Sequence, residues 1–371
     1  MRVLHVYKSY YPDTVGGIEQ VISQLGRGLA ALGHENRIFT LSPNPVPAVL
    51  RYPEGEVHRS RQTLEVASNN VSLSAFRDFR RQLEWADVVH YQFPWPFGDL
   101  LHVAVARRKP SVVSYQSDIV RQKWLLKAYR PLRDRFLLSV GAVVTTSPQY
   151  HASSEVLRNL PVPVKVVPNG VEESSYPQPR AEVLERWRAR LGEGFFLFVG
   201  VLRYYKGLHT LVQAARGFAG QVVIAGDGPE RSALERQVGA ATGAGNVHLL
   251  GRVSDEDKMA LLQLCRAFVF PSHLRSEAYG MSLVEAAMAG KPMVSCEIGT
   301  GTTFINENGT TGLAIPPADP AALRVAMQTL LDDPALARKL GAQARERFLA
   351  HFSASRMASA YEEIYAGLLA R

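Results

Sequence analysis

Cysteine is scarce in this 371-residue chain: Cys265 and Cys296 are the only two, and both lie in apolar surroundings. A reduced, cytoplasmic protein is favoured over a disulfide-stapled one. No apolar run approaches the roughly 18 residues that would span a bilayer. Lys8 interrupts the N-terminal run Met1-Arg-Val-Leu-His-Val-Tyr before it could pass for a signal-peptide core. The histidines are scattered, there is no H-E-x-x-H, and no cysteine pair has ligand spacing. Asp118 lacks the second acid of a D-x-D motif, so no metal and no cofactor are expected. A Gly-x-Ser-x-Gly elbow and a P-loop are missing too. Zinc-finger spacing and RRM-type aromatic patterning are absent, so nucleic acid is not an expected partner.

Against these absences stands an excess of basic residues, 42 against 34 acids, for a formal charge of +8. It suits a phosphorylated small molecule or an anionic membrane surface. The length exceeds one ordinary core and favours two domains. In each half, short apolar runs alternate with helical patterns, which argues parallel sheets covered on both faces. In the first half the strands are Val3 to Val6, Asn36 to Leu41, Val88 to His90, Ser111 to Tyr115, Ala142 to Thr146 and Val164 to Val167. A helix runs from about Ile18 to Leu32. After the polar passage Glu172 to Arg180 the pattern restarts at Phe195 to Val199. Gln221 to Ala225, Val247 to Leu250, Ala267 to Phe270 and Pro292 to Cys296 follow. The fold class is α/β: a domain over 1–170, a second over 171–350, and a final helix over 351–371 crossing back to the first. Binding is expected at the carboxyl ends of strands facing a cleft.

Four constellations could carry chemistry. Asp13-Thr-Val-Gly16-Gly17-Ile-Glu19 follows the first strand, where paired glycines allow close backbone approach to an anion or a sugar hydroxyl. Arg203 and Lys206 stand at a helix start, where cations oppose the helix dipole, so an external diphosphate is a reasonable purpose for them. Two solvated surface cations are the plainer alternative. Gly226-Asp-Gly228-Pro229 is either a tight turn or a ligand-facing one. Glu277 and Glu285 flank a strand-to-helix turn. Glu277 could be a hydrated loop acid. Ser282-Leu-Val-Glu285 fits a capping box, and two carboxylates could also form a hydrolytic pair. In the first half, Gln92, Trp95, Gln116 and Asp118 follow apolar strands, with Trp95 either a sugar platform or ordinary packing. The segment Arg121 to Arg135 mixes cations with Trp124, Leu125 and Leu126, which suits either a helix near anionic lipid or a solvated basic helix.

Taken together, these residues resemble the retaining glycosyltransferases of family GT4, which have the GT-B fold of two doubly wound Rossmann-like domains facing across a cleft. The strongest element is the E-x7-E motif, Glu277-Ala-Tyr-Gly-Met-Ser-Leu-Val-Glu285. Support comes from Gly16-Gly17 with Glu19, Arg203 with Lys206-Gly207, Gly226-Asp-Gly-Pro229 and Gly309-Thr-Thr-Gly312-Leu. Tyr7-Lys-Ser-Tyr-Tyr-Pro-Asp, Phe93-Pro-Trp-Pro-Phe and Ser117-Asp-Ile-Val-Arg-Gln-Lys123 are similar to bacterial mannosyl- and rhamnosyltransferases that use GDP-sugars for lipid-linked surface polysaccharide.

The resemblance implies a nucleoside-diphosphate sugar donor, with GDP favoured over UDP, and a glycan or lipid-linked saccharide acceptor. Arg203 and Lys206 would hold the diphosphate, and Glu277 the donor-sugar hydroxyls. Glu285 would hold the ribose, and the backbone of Ala278, Tyr279, Gly280, Met281, Ser282 and Leu283 would line sugar and phosphate. Gly16, Gly17, Gly228, Arg252 and Val253 complete the donor side, with Arg252 and Val253 near the base. Glu19, Gln92, Trp95 and Asp118 fall on the acceptor side. The implied setting is the cytoplasm, with peripheral contact at the inner face of the membrane. One departure is evident: Gln116 stands where similar members carry a catalytic histidine. Glutamine can hydrogen-bond a hydroxyl but cannot take up a proton near neutral pH. A non-catalytic sugar-nucleotide or glycan-binding protein of the same fold is the alternative.

Overall fold

The computed structural model describes residues 1–66, 69–119, 123–240 and 245–370. The chain divides into two compact units, Met1–Glu172 with Ser353–Arg371, and Glu173–Phe352.

In the first unit the strands are β1 (Arg2–Val6), β2 (Glu35–Ser42), β3 (Val49–Tyr52), β4 (Gly55–Arg61), β5 (Leu64–Val66), β6 (Asn69–Val71), β7 (Val88–Phe93), β8 (Ser111–Tyr115), β9 (Ala142–Thr145) and β10 (Val164–Val166). Eight of them form one sheet in the order β10-β9-β8-β7-β1-β2-β4-β3. It is parallel except for β3, which runs antiparallel on β4. All six residues of β7 and all five of β8 are buried, as expected of central parallel strands covered on both faces. Strands β3, β4, β5 and β6 were not expected from the sequence. Strand β5 is exposed throughout, β3 and β6 are partly exposed, and β4 buries only Val57, Arg59 and Ser60, so no apolar run marks them.

The helix Gly17–Ala31 buries Val21, Ile22, Leu25 and Leu29 on one stripe. The C-terminal helix Ala354–Leu369 packs closely across it. A Cβ on Gly28 would lie 2.7 Å from the Ala358 Cβ, so small residues set this crossing. The last helix starts at Ser353, whose Oγ accepts from the Arg356 N–H.

The second unit is a six-stranded parallel sheet of β11 (Phe196–Val199), β12 (Val222–Ala225), β13 (Val247–Gly251), β14 (Ala267–Phe270), β15 (Met293–Cys296) and β16 (Gly312–Ile315). The order is β13-β12-β11-β14-β15-β16, the doubly wound arrangement in which chain direction across the sheet reverses between β11 and β14. In such sheets the carboxyl ends of the two strands at the reversal are the usual place for a ligand. Strand β16 escaped the sequence reading because it is a four-residue strand, half of it only partly buried, opening on glycine.

Candidate active site

The reversal between β11 and β14 brings Lys206 to Glu277. After β11 the chain passes through Arg203 into a single 3-10 turn, Tyr204–Lys206, and then Gly207 at φ +68°. A Cβ on Gly207 would lie 2.0 Å from the Pro271 carbonyl oxygen, so only glycine admits this approach. The His273 N–H donates to the Tyr205 carbonyl at 3.0 Å and ties the two loops together. Lys206 is 9% exposed and Glu277 8%. The Lys206 ammonium is hydrogen-bonded to Glu277 Oε2 and lies 4.5 Å from the Phe270 ring centroid. Ser272 Oγ donates to the same carboxylate oxygen at 3.2 Å. Glu277 is thus not a hydrated loop acid, and Lys206 is not a solvated cation. Arg203, by contrast, is exposed.

Glu285 lies one turn inside the helix Met281–Met288 and is 6% exposed. The helix is capped by Gly280 at φ +98°, with no side-chain cap. Ser282 therefore sits in the first turn and not at the N-cap, and the expected capping box does not form. Glu285 Oε1 instead accepts from the Tyr176 hydroxyl at 2.9 Å and from Lys258 Nζ at 3.0 Å. Burial pulls the Lys258 pKa down, but the charges of Glu285 and Asp255 outweigh it and raise the pKa overall. Each carboxylate thus has its own cation, which is not the arrangement of a hydrolytic acid/base pair.

Around the two acids, Ala278 and Tyr279 are buried. Gly301 packs against them, donating its N–H to the Ala278 carbonyl at 2.8 Å, so they can offer a ligand backbone only. Met281 and Ser282 are half-buried in the first helical turn, where N–H groups lack intrahelical acceptors. Leu283 is fully buried, and its N–H is taken by the Gly280 carbonyl. Arg252 is exposed and Val253 half-buried just after β13. A Cβ on Gly226 would lie 1.9 Å from the Gly200 oxygen, and one on Gly228 2.6 Å from the Leu202 oxygen. Close loop packing accounts for both glycines.

In the first unit, Gly16 is extended at φ −152°, so the left-handed region is not its reason. A Cβ there would lie 2.6 Å from Glu19 Oε2. Glu19 is buried, and Oε1 accepts from Ser9 Oγ at 3.0 Å and Thr14 Oγ1 at 2.6 Å. Its carboxylate buttresses the glycine loop, while Gly17 is exposed. Gln92 and Gln116 end adjacent strands and are joined side chain to side chain, Gln116 Nε2 donating to Gln92 Oε1 at 2.9 Å. Asn169 Nδ2 donates to Gln116 Oε1 at 3.1 Å. Asp118 Oδ1 accepts from the Tyr115 and Ser154 hydroxyls, at 2.9 and 2.8 Å. Trp95 corrects the acceptor-side expectation. It is 1% exposed, its ring abuts Gly98, and Nε1 donates to the Asn70 carbonyl at 3.1 Å. No face of the ring is open to a sugar.

Sequence reasoning missed Asn169, Tyr176, Lys258 and Ser272. Asn169 was visible only as a turn residue, and Tyr176 lies in what looked like a linker. Lys258 offered no signal, because its partner is 27 residues away. A cavity of about 410 Å³ in the first unit lies at the amino ends of β2 and β4, away from these residues. Its Glu56 is already paired with Arg37 and Arg51. Among the described residues no group of three or more His, Cys, Asp or Glu could hold a metal ion. No described helix is long and apolar enough to cross a membrane. Of the basic segment, Arg121 and Gln122 lie outside the described residues, and a helix runs from Lys123 to Ser139.

Two Rossmann-like sheets, the second wound in the order that places Lys206 against Glu277, define the GT-B class of glycosyltransferases. The particular family is equally clear. Residues 180–347 match the model of glycosyl transferases group 1, and residues 15–175 that of glycosyltransferase family 4. The chain is 53% identical to the D-rhamnosyltransferase WbpZ of Pseudomonas aeruginosa, over 95% of this chain and 93% of that one. It is 45% identical to O-antigen chain mannosyltransferase C of Escherichia coli, over 100% and 99%. Among solved structures, sucrose-phosphate synthase from Thermosynechococcus elongatus superposes with a TM-score of 0.80 at 22% identity, covering 100% of this chain and 99% of that one. Anabaena HepE in complex with UDP and glucose gives 0.79 at 17%, covering 99% and 100%. At those identities the structures speak for the fold. The chain belongs to the family 4 glycosyltransferases and is a glycosyltransferase.

Proposed function

We propose that this enzyme transfers a mannose- or rhamnose-type hexose from a GDP-sugar, with retention, to a hydroxyl of a lipid-linked glycan during surface polysaccharide synthesis. The observation that carries this reading is the buried Lys206–Glu277 pair at the β11/β14 reversal. There a cation able to meet a diphosphate stands beside a carboxylate able to meet sugar hydroxyls. The sugar preference follows the names of the two relatives above, a rhamnosyl- and a mannosyltransferase, and the preference for GDP follows the resemblance of the sequence motifs.

In the reaction the bond from the anomeric carbon to the diphosphate oxygen breaks, and a bond to the acceptor oxygen forms on the same face. The acceptor proton passes to the leaving phosphate, so no protein nucleophile is needed. Lys206 and Arg203 offset the charge that grows on the leaving group. Glu277 holds donor-sugar hydroxyls and Glu285, oriented by Lys258 and Tyr176, the ribose. The first-turn N–H groups at Met281 and Ser282 face phosphate, and Arg252 and Val253 lie near the base. Gly16 and Gly17 admit the donor close to β1, with Gln116 on the donor sugar and Gln92 and Asp118 toward the acceptor. Work at the cytoplasmic face of the membrane, with peripheral contact to anionic lipid, fits the net charge of +8.

The test is a screen of GDP-, UDP- and ADP-sugars for thermal stabilisation, followed by nucleotide release with lipid-linked acceptor. Stabilisation by GDP-mannose or GDP-rhamnose, with acceptor-dependent release of GDP, is expected. Selection of a UDP-sugar would overturn the donor assignment. Flotation with vesicles containing anionic lipid, compared with neutral vesicles, tests the membrane contact.

A further inference from the structure

The pair Gln92–Gln116 continues into a buried chain of hydrogen bonds that ends on the C-terminal helix. Gln92 Nε2 lies 3.4 Å from His90 Nε2, and His90 Nδ1 lies 2.7 Å from the Tyr365 hydroxyl. With the Gln92 amide nitrogen turned toward it, His90 Nε2 is the accepting nitrogen and the ring proton is placed on Nδ1, toward Tyr365. In that form Ser114 Oγ, 2.7 Å away, is the main donor to the single Nε2 lone pair, with the Gln92 N–H a longer second donor, and Ser114 can accept from the Tyr361 hydroxyl. His90, Tyr361 and Tyr365 are buried. His5 packs 5.3 Å from the His90 ring, with its Nε2 on Asn36. Burial first, and His5 second, hold His90 well below the usual histidine range, so the ring is neutral. A neutral imidazole has one donor and one acceptor. Its tautomer is a two-way choice, and every amide downstream follows it.

We propose that His90, in its Nδ1–H form and bonded to Tyr365, is the positioning residue that sets which way the Gln92 and Gln116 amides face. With Gln116 Oε1 accepting from Asn169 and one N–H given to Gln92, the remaining Gln116 N–H is the group left for substrate. Gln116 therefore acts on the donor sugar as a hydrogen-bond donor, to a hydroxyl or to the leaving oxygen. If the tautomer reversed, both amides would turn and Gln116 would offer a carbonyl in its place. The inference rests on the reading of Gln116 as a donor-sugar contact. It adds that the final helix, through Tyr365, controls that contact.

The direct test needs no substrate. In ¹⁵N-labelled protein at pH 7, the His90 ring, assigned by its loss in His90→Gln, should give the Nδ1–H pattern. An Nε2–H pattern overturns the positioning role. In kinetics with GDP-mannose and a lipid-linked acceptor, Tyr365→Phe should lower kcat about tenfold and leave the donor KM within about twofold. Tyr91→Phe should change neither, because that hydroxyl, on the same strand, meets His102 and not His90. In a Gln116→Met background, Tyr365→Phe should have no further effect. A further tenfold loss there would make Tyr365 merely structural and overturn the proposal. If Gln116→Met alone keeps wild-type kcat, the sugar-contact reading fails, and the relay has nothing to position. If only the tautomer is wrong, the positioning role falls and the sugar contact stands.

Discussion

Lys206 and Glu277, 71 residues apart, share a hydrogen bond in a setting where each side chain is only about one-tenth exposed. Taking both charges out of water offsets most of their attraction, so the pair adds little net stability. Its consequence is that neither charge is wasted on solvent before a donor arrives.

Removing one partner should cost far more than the pair contributes. Lys206→Ala leaves Glu277 buried with only Ser272, an expected loss of about 3 kcal/mol to the second unit. The same change should lower kcat/KM by about a hundredfold or more. The double variant Lys206→Ala/Glu277→Ala should recover part of the melting temperature and none of the activity. Thermal melts and initial rates on the three proteins decide it, and a double variant melting below Lys206→Ala would contradict the burial argument.

Lys258 acts one step away, by holding Glu285. Lys258→Met should raise the donor KM about tenfold, the value of one charge-assisted hydrogen bond, with kcat within about twofold. Tyr176→Phe should do the same more weakly, since a neutral hydroxyl is lost. Donor titrations at saturating acceptor give both numbers. A fall in kcat at constant KM would instead place Glu285 in the chemical step.

Two left-handed glycines should respond very differently to alanine. Gly33, at φ +82°, has no atom within 4 Å of an added Cβ, so Gly33→Ala should cost only about 1–2 kcal/mol of backbone strain. Gly207→Ala adds a clash with the Pro271 carbonyl to the same strain. It should displace the loop carrying Lys206 and abolish binding of the donor nucleotide by calorimetry. Equal effects at the two positions would show that the loops are not interlocked.

Acid should act first on the first unit. Burial pulls His5 and His102 down to about 4, and His90 well below its usual range, each kept neutral in the fold. Above about pH 6.5 both folded and unfolded forms are neutral, and stability is complete. As pH falls toward 4 the unfolded chain takes up protons that the fold refuses, so stability is lost through that window. For His5 alone the linkage is about 3 kcal/mol. Calorimetry at pH 7.5 and 5 should show the first unit's transition falling furthest.

Much of this molecule can be read along the chain, because alternation of apolar runs with helical stripes is a local property. Strands β1, β7, β11 and β14 announce themselves, as do the glycines before the helix at Gly17 and the carboxylates eight positions apart at Glu277 and Glu285. Strands β3, β4, β5 and β6 do not, since exposed or polar-interrupted strands leave no apolar run to read, and β16 is only four residues opening on glycine. Trp95 could be read either as a sugar platform or as packing, because an aromatic at a strand end has the same spelling whether its face is open or covered. Gly98 and Asn70 decide that it is covered.

The sequence by itself determined the class of the sheets, the position of the acids and the presence of cations near a helix start. It could not determine partners. Glu285 fits a capping box in one dimension, but a helix capped at Gly280 puts Ser282 two residues past the cap, and the partners become Lys258 and Tyr176. Lys206 meets Glu277 only because strand order reverses between β11 and β14. Tyr365 meets His90, 275 residues earlier, only because the last helix packs on the first unit. Strand order and helix docking are set by the burial of whole apolar faces, a sum over many distant residues. No local spacing encodes that sum, so the chemistry of each acid and amide was left to the tertiary structure.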